Sequence, residues 1–302
     1  MKNKGVLFAL AAYILWGFFP LYFKAIQQVS ALQILAHRIA WGFVFTLAVV
    51  LMLRQWKEFR ASIFNRRTFL IYAGASVVLG INWFTYVWAV ITNHVVESSL
   101  GYFINPIVSV LLGVIFLRER LRTFQWVAIA MVTAGVVYLT ITFGQLPWIS
   151  LVLAVTFGFY GLLKKIAPLG ALHGITLETA VLTIPSLAYL FIVNANGTGT
   201  FGHSTPLLDF LLVLSGPVTA IPLLLFATGA RRIPLTTIGL LQYIAPTLQF
   251  LLGVLVFHEP FDQSRLIGFM IIWLALVLFS VENLLARRRT PSTAPIPAEI
   301  SE

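Results

Sequence analysis

Apolar runs about the length of a bilayer crossing follow one another along the chain, separated by short links rich in Arg, Lys, Gly, Pro and Asn. They fall at 5–23, 31–53, 68–91, 97–117, 123–143, 147–163, 174–193, 206–229, 235–256 and 265–285. A hydrocarbon core of ~30 Å takes ~20 apolar residues of α-helix. The pattern therefore predicts an all-α integral membrane protein with ten transmembrane helices. The sixth and seventh runs are the least regular, flanking "KKIAPLGALHG" and carrying polar or helix-breaking residues of their own.

The runs repeat. Residues 101–120, "GYFINPIVSVLLGVIFLRER", correspond to residues 241–260, "LQYIAPTLQFLLGVLVFHEP". Pro106, Gly113 and Glu119 recur 140 residues later as Pro246, Gly253 and Glu259. "WGFFPLYFK" (16–24) corresponds to "FGFYGLLKK" (157–165), and Arg38 to Glu178. The expected units are a first five-helix repeat over 5–143 and a second over 147–285. Five is odd, so the second repeat enters the membrane inverted relative to the first. Inverted repeats are typical of secondary transporters, in which inward-open and outward-open states are two arrangements of equivalent halves. Packing for stability and a passive channel are the competing explanations of such a duplication.

Composition agrees with the pattern: 59% hydrophobic, 10% charged, mean hydropathy +0.93. The net charge of +10 does not point to nucleic acid, because its distribution is topological. With the N-terminus inside, the inner face holds Lys2, Lys4, Arg54, Lys57, Arg60, Arg66, Arg67, Arg118, Arg120, Arg122, Lys164, Lys165, Arg231, Arg232, Arg287, Arg288 and Arg289. The outer face holds only Lys24 and Arg265, and Arg38 lies within a run. This is the positive-inside bias. It implies a multi-pass membrane protein with both termini in the cytoplasm. The start of the chain resembles a signal peptide but has a partner in the second repeat, so it reads as a retained helix. The polar, proline-rich segment 290–302 reads as a disordered cytoplasmic tail.

There is no cysteine, and no zinc, P-loop or nucleophile-elbow motif. The expectation is therefore a non-enzyme with no metal and no cofactor. Its partners are the lipid bilayer and a small solute. Protons or another coupling ion, and a homodimer, stay open. Ionisable residues inside the runs are costly, ~2.5–3.5 kcal/mol at the bilayer centre on insertion scales, and so mark function by default. Arg38 and Glu178 are the leading candidates for the solute pathway. They are expected at opposite depths rather than paired with each other. For Glu178 a bond to Lys164 or Lys165 is the structural alternative. For Arg38 it is a structural pair or a carbonyl cap. His37 points ~100° away from Arg38 on the same helix. Proline inside a helix frees the carbonyl four residues earlier, so Pro106 and Pro246 would free those of Tyr102 and Gln242 near mid-membrane. Asn82, Trp83, Tyr86, Tyr102, Asn105, Gln242 and Tyr243 complete the candidate lining. Pro106, Pro246, Gly113 and Gly253 serve kinks and close packing. Glu97, Glu119 and Glu259, at helix ends, read as structural.

"SLGYFINP" (99–106), "NW" (82–83) with "WAV" (88–90), "HR" (37–38), "ET" (178–179), "TFG" (142–144) with "LP" (146–147), and "QYIAPT" (242–247) resemble the RarD family of EamA-type proteins in the drug/metabolite transporter superfamily. The resemblance runs over nearly the whole chain. It departs at Ile91, where an Asn often follows "WAV". It implies an exporter or permease of small metabolites or drug-like solutes in a bacterial cytoplasmic (inner) membrane. A membrane assembly or sensory protein on the same fold is the runner-up, and a passive channel comes third. The orientation is directly testable because the chain has no cysteine. A single cysteine placed in 56–64 should be protected from an impermeant external thiol reagent, and one in 196–202 should label. The reverse pattern would overturn the orientation.

Overall fold

The computed structural model describes residues 2–63, 65–118, 121–230, 232–233, 237–238 and 241–289. Glu119, part of the ninth run and the tail 290–302 lie outside the described residues. Every regular element among the described residues is a helix: α1 (Lys2–Gly17), α2 (Phe19–Ala25), α3 (Ala31–Met52), α4 (Trp56–Ile63), α5 (Arg66–Ile91), α6 (Val95–Leu117), α7 (Thr123–Phe143), α8 (Trp148–Ile166), α9 (Ala171–Ala195), α10 (Pro206–Ala230), α11 (Ile244–Leu251) and α12 (Gln263–Arg289), with a π-helical turn at Leu252–Val256 after α11. Nine stretches are long and apolar enough to cross a membrane among these residues, α1 and α2 counting together as Lys4–Ala25. The tenth, Ile244–Val256, is shorter.

Helices dominate because a lipid-exposed backbone must satisfy its own hydrogen bonds. Their ends are set locally. The Ser30 hydroxyl accepts from the Gln33 amide (3.4 Å) and Asn65 Oδ1 from the Thr68 amide (3.0 Å), capping α3 and α5. Gly144, at φ 66°, ends α7 in the left-handed conformation. The basic link after α3 is not a plain loop. Its Trp56–Ile63 segment forms α4, which buries Phe59 against Val50, Tyr72 and Leu177.

Two expectations change. The first run is interrupted at Phe18, and Pro20 sits in the first turn of α2. The ninth run is broken more severely. Gln242 and Tyr243 lie in a turn, and α11 begins at Ile244. Pro246 is thus in the first turn of α11, four residues after Gln242, whose carbonyl its missing N–H leaves without the usual helical donor. Pro106, by contrast, lies inside the continuous α6, as the sequence predicts.

The helices pack in related pairs. α6 lies on α8, and α11 on α1. α5 lies on α8, and α10 on α1. α3 lies on α10, and α9 on α5, while α3 meets α9 and α7 meets α12. Contact between α3 and α10 is backbone on backbone. A Cβ on Gly216 would sit 2.3 Å from the Trp41 carbonyl carbon and 2.5 Å from the Gly42 nitrogen. Gly216→Ala should therefore lower the apparent Tm by about 2–12 °C, since overpacking costs ~1–3 kcal/mol and backbone here has no room to yield. Gly161→Ala, whose added Cβ meets nothing within 4 Å, should hold or raise it. A differential scan of both variants in detergent checks this, and equal Tm values would contradict the close crossing.

Candidate functional site

Arg38 projects from the middle of α3 and is 3% exposed. Its Nε donates to Thr219 Oγ1 on α10 at 2.7 Å. The guanidinium lies 4.2 Å from the ring centre of Trp83 on α5, with Phe23 and Phe19 of α2 at 5.3 and 5.8 Å. Tyr22, Tyr86 and Tyr102 are its phenolic neighbours. No carboxylate comes within ion-pairing distance of Arg38 among the described residues. Its Nη1 and the Tyr86 hydroxyl are both buried without a hydrogen-bond partner among the described residues. A buried cation normally has an acid or a full set of acceptors. Here the aromatic faces supply part of the compensation, and one donor nitrogen, Nη1, is left over. The break between α1 and α2 matters for this site, because it turns Phe19 and Phe23 toward the guanidinium.

Glu178, fully buried on α9, is held differently. Lys164 Nζ of α8 meets its Oε1 at 2.9 Å, and the Tyr160 hydroxyl donates to its Oε2 at 3.0 Å. Lys164 also lies over the Tyr72 ring at 4.8 Å. Gly174 makes room for it, since a Cβ there would sit 2.7 Å from Nζ. The structure thus realises the pairing that the sequence offers as the alternative for Glu178. Arg38 and Glu178 make no ion pair with each other.

The two charges are connected by aromatic rings. Tyr86 meets Tyr102 edge-on at 5.8 Å, Tyr102 meets Phe157 at 6.1 Å, and Phe157 meets Tyr160 at 6.0 Å. Tyr160 is the residue bonded to Glu178. Trp83, Tyr86 and Tyr102 therefore gather near Arg38, and the rings continue toward Glu178. Other candidates lie apart. Asn82 bolts α5 to α8, donating to the Leu153 carbonyl at 3.1 Å and Thr156 Oγ1 at 3.0 Å. Asn105 accepts from Ser109 within α6 at 3.4 Å. Tyr243, next to Gln242 in the turn before α11, stacks on Phe103 at 6.4 Å, in a cluster with Trp273. His37 faces away from Arg38 onto Phe201 (5.0 Å) and lines a groove of about 690 Å³ between α3, α9 and the 196–205 link.

Residues at the charge-poor end show helix capping across elements. Glu259 accepts from the Val95 and Val96 amides at 2.7 and 2.8 Å. It replaces a local cap on α6, where the His94 side chain caps no backbone amide. His258, at φ 53°, turns the chain back to bring Glu259 there. Glu97 in turn accepts from the Ile149 amide at 3.1 Å at the start of α8. Both carboxylates thus sit at the positive ends of other helices. Phe19, Phe23, Thr219, Phe157 and Tyr160 are site residues that spacing did not single out. The i, i+4 pair Phe19/Phe23 and the i, i+3 pair Phe157/Tyr160 are the only local signals of them.

Residues 3–141 match the EamA-like transporter family. The uncharacterized transporter YojE of Bacillus subtilis is 46% identical, over 96% of this chain and 98% of its own. Protein RarD of Escherichia coli is 42% identical, over 95% and 97%. The chain belongs to the RarD family of EamA-type transporters. The chloramphenicol-sensitive protein RarD of Pseudomonas aeruginosa is a more distant member, 30% identical over 92% of this chain and 94% of its own. A crystal structure of a protein only 20% identical superposes over 95% of this chain and 99% of that one with a TM-score of 0.58, which shows a shared fold. A membrane transporter with RarD-type sequence throughout thus carries the Arg38 site.

Proposed function

We propose that this RarD-family chain is a secondary carrier, an exporter or permease of small metabolites or drug-like solutes in a bacterial inner membrane, and that it works by alternating access. The observation that carries the reading is the pairing of helices. If α1/α2, α3, α5, α6 and α7 are exchanged for α8, α9, α10, α11 and α12, the principal contacts map onto one another: α6 on α8 becomes α11 on α1, α5 on α8 becomes α10 on α1, and α3 on α10 becomes α9 on α5. That symmetry supports two inverted five-helix repeats over 5–143 and 147–285, with the shortened Ile244–Val256 stretch serving as the ninth helix. Two equivalent halves of this kind give two equivalent openings.

In the proposed orientation the charge-poor end faces outward. Arg38 then stands in the outer half and Glu178 in the inner half, at matched places of the two repeats. With its Lys164 and Tyr160 bonds, Glu178 ties α8 to α9 near the cytoplasm. Glu259 ties the end of the ninth helix to the start of α6 at the outer face. Opening outward would break the second tie while leaving the first, and the reverse would hold for opening inward. The π-helical turn at Leu252–Val256 is the natural place for the ninth helix to flex, because its hydrogen bonds are already shifted.

Purified protein in liposomes without ATP should exchange a solute that cells move through it, in saturable counterflow. Arg38→Ala and Glu178→Gln should each lower that exchange at least about tenfold while the protein still inserts, since each removes a charge made costly by burial. The double charge swap Arg38→Glu with Glu178→Arg should not restore it. Rescue by the swap would indicate a direct pair and overturn the two-position arrangement. Wild-type exchange in both single variants would assign the charges to structure alone.

A further inference from the structure

We propose that the solute is an aryl carboxylate, a planar aromatic body bearing a single carboxylate, held with the carboxylate on Arg38 and the ring among Tyr86, Tyr102 and Phe157. The inference rests on the carrier reading above and narrows it to a chemical class.

The carboxylate follows from what Arg38 lacks. Its Nε is used by Thr219, yet Nη1 is buried and unpartnered, and no acid neutralises it among the described residues. A guanidinium edge presents a planar fork of donors that fits a carboxylate. The unpartnered Tyr86 hydroxyl is a further donor beside it. A neutral solute would leave the buried cation uncompensated, and a cationic one would add to it. A phosphate dianion would exceed the single positive charge this pocket holds, because the other groups around it are hydroxyls and rings. One negative charge balances the site.

The far pole argues against a zwitterion. Glu178 already has Lys164 on one oxygen and the Tyr160 hydroxyl on the other, so it offers no free negative charge to an ammonium. The aromatic body follows from what lies between. Successive rings meet at 5.8–6.1 Å and interplanar angles of 65°, 84° and 47°, two edge-on contacts and one tilted one rather than a closed parallel stack. A flat ring entering such a series replaces edge contacts with others of the same kind, worth ~0.5–1.5 kcal/mol each beyond the area buried. An aliphatic body of the same size gains the area but not that preference.

The test is calorimetric binding to the full-length protein in nanodiscs, with phenylacetate as the probe. Phenylacetamide, phenethylamine and cyclohexylacetate vary charge and aromaticity at similar size. Phenylacetate should bind at least about tenfold more tightly than each of the three. Arg38→Gln should abolish that preference, and Arg38→Lys, which keeps the charge without the fork, should weaken it. Equal or tighter binding of the amide or the amine would overturn the carboxylate. Parity with cyclohexylacetate would overturn the aromatic body. No heat with phenylacetate at about 10 mM, far above a useful site affinity, would overturn the whole inference. These comparisons stand on the wild-type protein, so a variant that fails to fold does not shield the proposal. Counterflow of other solutes without competition from phenylacetate sinks this inference and leaves the carrier reading. Arg38-dependent binding with no exchange of any solute does the opposite.

Discussion

A guanidinium buried in an apolar bundle, with no acid beside it among the described residues, sets the terms for much of this structure. Desolvating such a charge costs several kcal/mol even after relaxation. The chain meets part of that cost with ring faces: Trp83 at 4.2 Å, then Phe23 and Phe19. It adds one hydrogen bond to Thr219. Those partners come from α2, α5 and α10, so three separate elements must converge on α3. The glycine contact between Gly216 and the Trp41–Gly42 backbone, about one turn along α3 from Arg38, brings α10 close enough to deliver Thr219. The break before α2 delivers the phenylalanines. Packing, helix breaks and site are one problem with one solution.

A second constraint is the backbone itself. Helix ends and breaks release N–H and C=O groups that lipid cannot satisfy. The protein answers with carboxylates borrowed from other elements. Glu259 closes the N-terminus of α6 and Glu97 that of α8, while the Ser150 hydroxyl donates back to the Glu97 carbonyl at 2.6 Å. These bonds are charge-assisted and hence stronger than neutral ones. They are also discrete, so they are made or lost as units when helices separate.

The membrane class, nearly every span and the place of Pro106 inside a helix were legible in the sequence, because a run of ~20 apolar residues and a proline inside it are local features. Arg38 and Glu178 stood out for the same reason: a charge inside an apolar run is a linear property. What escaped was tertiary. Pro246 corresponds in sequence to Pro106, yet α6 runs on through Pro106 whereas the chain breaks at Gln242–Tyr243 and α11 starts at Ile244, two residues before Pro246. Asn82 looks like a pathway residue by its polarity, but both donors of its amide are spent on α8. Glu259 reads as disfavoured at the C-terminal end of its own helix, and only folding shows that it serves the N-terminal end of another. The aromatic series from Tyr86 to Tyr160 draws on three helices, and no spacing rule along one of them reveals it.

The central claim is that α6 and the ninth helix separate at the charge-poor end during each cycle. A Cβ on Gly253 would lie 2.7 Å from Cγ2 of Val96, close enough for a disulfide between cysteines at the two positions. The chain has no other cysteine to confuse the result. The decisive measurement is counterflow by the Val96→Cys/Gly253→Cys protein in liposomes, before and after oxidation and again after reduction. Alternating access predicts exchange in the reduced protein, loss to background on complete cross-linking, and recovery with reductant. Undiminished exchange by fully cross-linked protein would show that these helices never part, and would contradict the mechanism.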